Sequence, residues 1–202
     1  MRNELILSRR VFGAGVGAVA LTLALPQTAQ ALTVDNARAL VGRTIEGVNS
    51  IINSGKSETA MLKDFERLFA KYADVPVIAR SALGVAAKSA SKGQMSAFTK
   101  AFQGYISRKY GRRFREFIGG RIEVTDARPL KSYFEVVSVA YLKGDAPFDL
   151  RWHVSDKSGK DLFFNIIIEG VNMLASERAE IGALLDKRGG NLDQLTADLK
   201  SI

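Results

Sequence analysis

A chain of 202 residues with no cysteine and a single histidine excludes a disulfide frame, a thiolate metal site and a thiol nucleophile. Its formal charge of +8 at pH 7 favours anionic partners, and a hydrophobic share of 47% is ample for a core.

The first segment reads as a leader. Arg2, Arg9 and Arg10 precede an uncharged stretch from Val11 to Leu25, Pro26 breaks it, and Ala29-Gln30-Ala31 supplies a small-x-small cleavage pattern. Cleavage is expected after Ala31, leaving 32–202 as one domain. The stretch falls short of the roughly 20 residues that a membrane span needs. Ser8-Arg9-Arg10-Val11-Phe12 fits a twin-arginine export signal. The expected destination is the periplasm, which removes nucleic acid as a partner and leaves lipid headgroups and acidic protein faces.

Residues 35–53 carry Ala37, Leu40, Val41, Val48, Ile51 and Ile52 at helical spacing. Ser57 can cap a second helix with Met61, Leu62, Phe65, Leu68, Phe69 and Tyr72 on its apolar face. A short third helix fits 76–83, between Asp74 and Gly84. Ser91 to Gln94 is a capping box that opens the longest helical pattern. Phe98, Phe102, Ile106, Tyr110, Phe114 and Phe117 follow as one apolar, mostly aromatic stripe, ended by Gly119-Gly120.

The period then changes to two. Residues 121–126 suggest a short strand before Pro129. Residues 135–142 suggest another, with Val137, Val139 and Tyr141 on one face. Phe148, Leu150, Trp152 and Val154 alternate with Asp149, Arg151, His153 and Ser155, as in a strand apolar on one side. Residues 155–160 form a hairpin turn, and the return strand, 162–169, puts Phe164, Ile166 and Ile168 on one face. Helix resumes over 173–187, and Asn191 caps a last helix with Leu192, Leu195 and Leu199. Helices, an antiparallel sheet and more helices describe an α+β domain with helices on one sheet face.

The residues offer little to an enzyme. His153 alternates to the polar side of its strand and reads as solvated, and no serine sits in a nucleophile-elbow pattern. No metal or cofactor is called for. The aromatic stripe facing the sheet can close a core or line a cavity, and periodicity alone favours the core. Arg113 falls inside the stripe on an ideal helix. Either the helix breaks near Gly111, the preferred reading, or Arg113 snorkels to a rim where it could meet a phosphate.

The C-terminal third is more specific. Asp149-Leu150-Arg151-Trp152, then Ile168-Glu169-Gly170-Val171-Asn172-Met173, then Glu177-Arg178, and finally Gly189-Gly190-Asn191-Leu192-Asp193-Gln194-Leu195 together resemble the MlaC family. Residues 78–84, Phe98, Phe102 and Tyr110 extend the resemblance to nearly all of 34–202. The chain departs from the family pattern at Asn165, Asn172, Asp161 and the Ala86-Ala87 region.

The resemblance implies an NTF2/cystatin-like α+β fold whose helices and curved sheet enclose an apolar cavity for phospholipid acyl chains. The stripe residues would line it, with Val137, Val139, Tyr141, Leu150, Trp152, Phe164, Ile166 and Ile168. The implied role is a non-enzymatic shuttle between outer and inner membranes. Its implied partners are an inner-membrane ABC lipid transporter and, in some members, an outer-membrane lipoprotein complex. A hopanoid-associated paralogue and a basic periplasmic adaptor with a filled core stay open as alternatives.

Overall fold

The computed structural model describes residues 31–113 and 117–202, so Phe114 and nearly all of the expected leader, residues 1–30, lie outside the described residues. Among these, the helices are α1 (Val34–Ile52), α2 (Glu58–Tyr72), α3 (Val75–Leu83), α4 (Lys92–Arg113), α5 (Met173–Asp186) and α6 (Leu192–Asp198). The strands are β1 (Arg121–Leu130), β2 (Tyr133–Tyr141), β3 (Phe148–Ser155), β4 (Leu162–Ile168) and β5 (Val171–Asn172). The class is α+β, as the order of periodicities implies.

Polar side chains start the helices where the sequence places them. Thr33, Ser57, Asp74, Asn172 and Asn191 each accept a bond from a first-turn N–H. At α4 the capping box closes both ways: Ser91 N donates to Gln94 Oε1 and Gln94 N donates to Ser91 Oγ, each at 3.1 Å. Asp74 also accepts from Ser158 Oγ, while its N–H donates to Phe163 O at 2.8 Å, tying α3 to β4. A 3₁₀ turn, Gly84–Lys88, follows α3 without a clear sequence signal.

The helix does not break at Gly111. α4 runs through it to Arg113, and Gly111 is buried because α2 packs there. A Cβ at Gly111 would lie 2.6 Å from Leu62 Cδ2 and 3.3 Å from Phe65 Cδ2. The glycine is a packing device rather than a helix stop.

The strands form an antiparallel meander in sequence order, β1 to β5. β1 is longer than expected, running through Pro129, with a bulge between Val124 and Asp126. As an edge strand it tolerates both the bulge and the proline. β5 is two residues long and was not foreseen. Glu169 and Gly170, with φ of 49° and 80°, make the two-residue turn before it, the left-handed pair a type I′ turn requires.

All the helices in contact with the sheet serve one core. α1 lies against β1 and β2. The main cluster joins Leu40, Val41 and Ile45 of α1, Phe98 and Phe102 of α4, Val136 of β2, Trp152 of β3 and Ile181 of α5. A second cluster, Val48, Ile51, Ile52, Met61 and Phe65, fills the α1–α2 corner.

Register corrects the expected face of β2. Phe134, Val136, Ser138 and Ala140 stand opposite Val154, Trp152, Leu150 and Phe148, so the even-numbered residues face the helices. Val137, Val139 and Tyr141 are on the other face, opposite Arg151, Asp149 and Arg121. Both faces of β2 are largely apolar, so its own pattern did not decide parity. Ser138 looks polar but belongs to the core, where it accepts a hydrogen bond from Trp152 Nε1 at 3.0 Å.

A register shift between His153 and Val154 similarly moves Phe164. Phe163 enters the core, its ring 5.4 Å from Trp152, and Phe164 turns to the outer face against Tyr133 and His153.

Candidate functional site

The helix–sheet interface brings together most of the expected site residues. Phe98, Phe102 and Ile106 of α4 are buried against it, as are Leu150 and Trp152. Ile166 and Ile168 stand beside Trp152 and Leu150 on the same sheet face and are half-buried. Phe98, Phe102, Val136, Ala140 and Val154 have no exposed surface. These residues close on one another rather than line the expected open cavity, because apolar faces of this size gain by leaving water.

Packing loosens toward one end. β1 and β3 begin there, β2 and β4 finish there, and Phe117, just beyond α4, touches Phe148 with ring centroids 6.4 Å apart. Tyr110, Phe117, Ile122, Val124, Phe148 and Ile168 are only half-buried. Beyond them Ile118 and Val171 are 50% and 54% exposed. Arg112 and Arg113 are exposed at the end of α4, so Arg113 leaves the apolar stripe instead of lying in it. The arrangement is an apolar two-layer interior with a sealed end and an incompletely covered end. Two surface recesses, about 470 Å³ beside Pro76, Arg80, Met95 and Lys100 and about 440 Å³ beside Gln94 and Gly189–Asn191, lie apart from it.

A polar network, not foreseen from the sequence, flanks the interior between α4 and α5. Lys109 Nζ lies 2.7 Å from Glu177 Oε1 and 2.5 Å from Glu180 Oε2. Tyr105 donates to Glu180 Oε1 at 2.5 Å, and Tyr110 donates to Glu177 Oε1. Burial, with the neighbouring carboxylates, pushes both phenols well above their ordinary pKa. Burial opposes the Lys109 charge, but its bonds to Glu177 and Glu180 prevail and raise its pKa. Burial likewise opposes the Glu180 charge, and its bonds to Lys109 and Tyr105 lower its pKa on balance. Only the i, i+3 spacing of Glu177 and Glu180 and the i, i+4 spacing of Tyr105 and Lys109 hinted at these faces.

The surroundings of His153 also differ from those the sequence suggested. It is on the face away from the interior, as expected, but buried instead of solvated. Tyr133 and Phe164 cover it, Asn165 Nδ2 lies 3.4 Å from Nδ1, and Glu135 Oε2 lies 3.7 Å from Nε2. Glu135 in turn accepts from Arg128 at 2.5 Å.

The chain matches the profile of the MlaC protein over residues 42–201. It belongs to the MlaC family. Within that family's pattern, two departures acquire structural roles here. Asn165 Oδ1 accepts from Leu174 N, and Asn172 caps α5. A phospholipid-binding protein from Ralstonia solanacearum, solved in complex with a phospholipid, shares the fold with a TM-score of 0.67 at 19% identity. The match covers 81% of this chain and 98% of that one.

Proposed function

We propose that this protein binds phospholipid in its helix–sheet interior and carries it through the periplasm. In this reading it is the soluble component of an ABC-type lipid transport system, taking lipid to or from an inner-membrane transporter and an outer-membrane lipoprotein complex. The observation that carries it is the graded interior, sealed at Phe98 and Phe102 and half-covered at Phe117, Phe148 and Ile168. Family membership and the fold shared with a phospholipid-binding protein support it. Each buried CH₂ contributes about 0.8 kcal/mol relative to water. A membrane offers the same gain, so net affinity is a small difference between large terms, which suits a carrier. Family membership and that shared fold favour binding over catalysis.

The tight packing around Phe102 and Val136 favours a second reading, a basic adaptor with a filled core. Organic extraction of protein purified from the periplasm separates the two. Mass spectrometry should find phospholipid near one equivalent, chemically intact. Lipid-free protein that also takes up none from vesicles leaves the adaptor, and a polycyclic triterpenoid in place of phospholipid reassigns the ligand to the hopanoid class.

A further inference from the structure

The junction between α4 and α5 differs from its neighbours. α3 and α5 pack directly, burying Ile78, Ala79 and Ala82 on one side and Ile181 and Leu185 on the other. α2 approaches α4 closely enough to need Gly111. α4 and α5 have almost no backbone contact, and polar side chains bridge them: Tyr105, Lys109 and Tyr110 from α4, Glu177 and Glu180 from α5. The helices run antiparallel, since Tyr105 meets Glu180 and Tyr110 meets Glu177. The seam therefore ends where α4 finishes and α5 begins, at the half-covered end of the interior. Val171 is exposed beside it, and Leu174, Ile166 and Ile168 are half-buried at its inner side.

Such a seam holds closed but yields easily. Glu177 is 3% exposed, and its Oε2 is buried with no hydrogen-bond partner among the described residues. An unmade bond of this kind is unfavourable, and a buried ion pair stabilises little more than apolar packing would. When α4 and α5 part, the partly buried Lys109 and the buried Glu177 regain water and Oε2 gains its missing bond. Parting α3 from α5 would instead expose mainly apolar surface, with less such compensation. Hydration therefore offsets the opening of this seam, and directly behind it Tyr105 packs on Phe102, ring centroids 6.2 Å apart, in the apolar interior.

We propose that the α4–α5 seam is the portal through which lipid acyl chains pass, and that Lys109 is the latch joining its two sides. This rests on the carrier reading above. It assigns the route by which long alkyl chains reach the interior.

Carbodiimide couples a lysine amine to a carboxylate in contact with it and adds no spacer, so it can join Lys109 to Glu180 or Glu177 across the seam. The full protein is treated, desalted and mixed with phosphatidylglycerol vesicles containing a pyrene-labelled phosphatidylglycerol, and transfer to unlabelled vesicles is followed. Peptide mass spectrometry measures the adduct. The coupled wild type should transfer at least about tenfold more slowly than untreated protein. Lys109→Arg keeps the charge but forms no such amide, and after the same treatment it should transfer at its untreated rate. Undiminished transfer by the adduct overturns the portal, as does equal slowing of the treated Lys109→Arg protein. Absence of any adduct shows that the latch does not form, with the same consequence. If untreated protein moves no phospholipid, the carrier reading itself fails and the portal falls with it.

Discussion

Single polar residues set much of this structure's register. Ser138 has no exposed surface, and the Trp152 indole N–H needs an acceptor when buried, so the pair fixes which face of β2 turns toward the helices. His153 is the outer-face counterpart. Burial lowers its pKa below the ordinary 6.5, and Glu135 pulls it back only in part. As pH falls, the unfolded chain therefore takes up the proton first. Stability is full above about pH 6.5 and declines below it, until the folded imidazole is protonated as well. Melting temperatures of wild type and His153→Gln at about pH 7.5 and about pH 5.5 test this. Wild type should lose more on acidification than the variant, and equal losses would mean that His153 carries no part of the pH dependence.

At the scale of elements, α2 is wedged between two glycines, Gly47 of α1 beneath Leu68 and Gly111 of α4 beneath Leu62 and Phe65. Gly42 of α1, by contrast, has nothing within 4 Å of the point where a Cβ would stand. In both helices alanine gains roughly 0.8–1 kcal/mol of intrinsic propensity. At Gly42 that gain should appear almost whole as a higher melting temperature. At Gly111 overpacking against the buried Phe65 should outweigh it, leaving a net loss of about 1–2 kcal/mol. Denaturant titration of the two variants side by side gives the contrast. A Gly111→Ala protein as stable as Gly42→Ala would show that α2 and α4 are free to move apart.

For the whole molecule, the decisive quantity is how ligand occupancy couples to folding. A lipid bound in the native interior and not by the unfolded chain stabilises by mass action. Stripping co-purified lipid should therefore lower the melting temperature, and adding it back should restore it. Calorimetry showing identical melting for stripped and loaded protein would favour the filled-core adaptor. The fold was largely legible because long amphipathic helices, capping residues and the clean alternation of Phe148 to Val154 all point the same way. Phe98, Phe102, Ile106, Leu150 and Trp152 were legible for the same reason. Val137, Val139, Tyr141 and Phe164 were not. The first three lie on a strand apolar on both faces, and Phe164 follows a register shift that leaves no mark in composition. The Lys109 network was illegible because its partners lie on helices about seventy residues apart, with no local periodicity to announce the pairing.

The two edges of the sheet are unequal, and both are blunt. β5 offers only two residues, while β1 carries its bulge, Pro129 and an exposed series of Arg121, Glu123, Asp126 and Arg128. A strand so interrupted and so charged is a poor template for another chain's backbone. The consequence is colloidal. Among the described residues neither β1 nor β5 offers a clean edge along which copies could add to one another, so the protein should stay dispersed when crowded. In the carrier reading proposed above, lipid can then pass between the interior and a membrane without the sheet itself becoming a seed for aggregation.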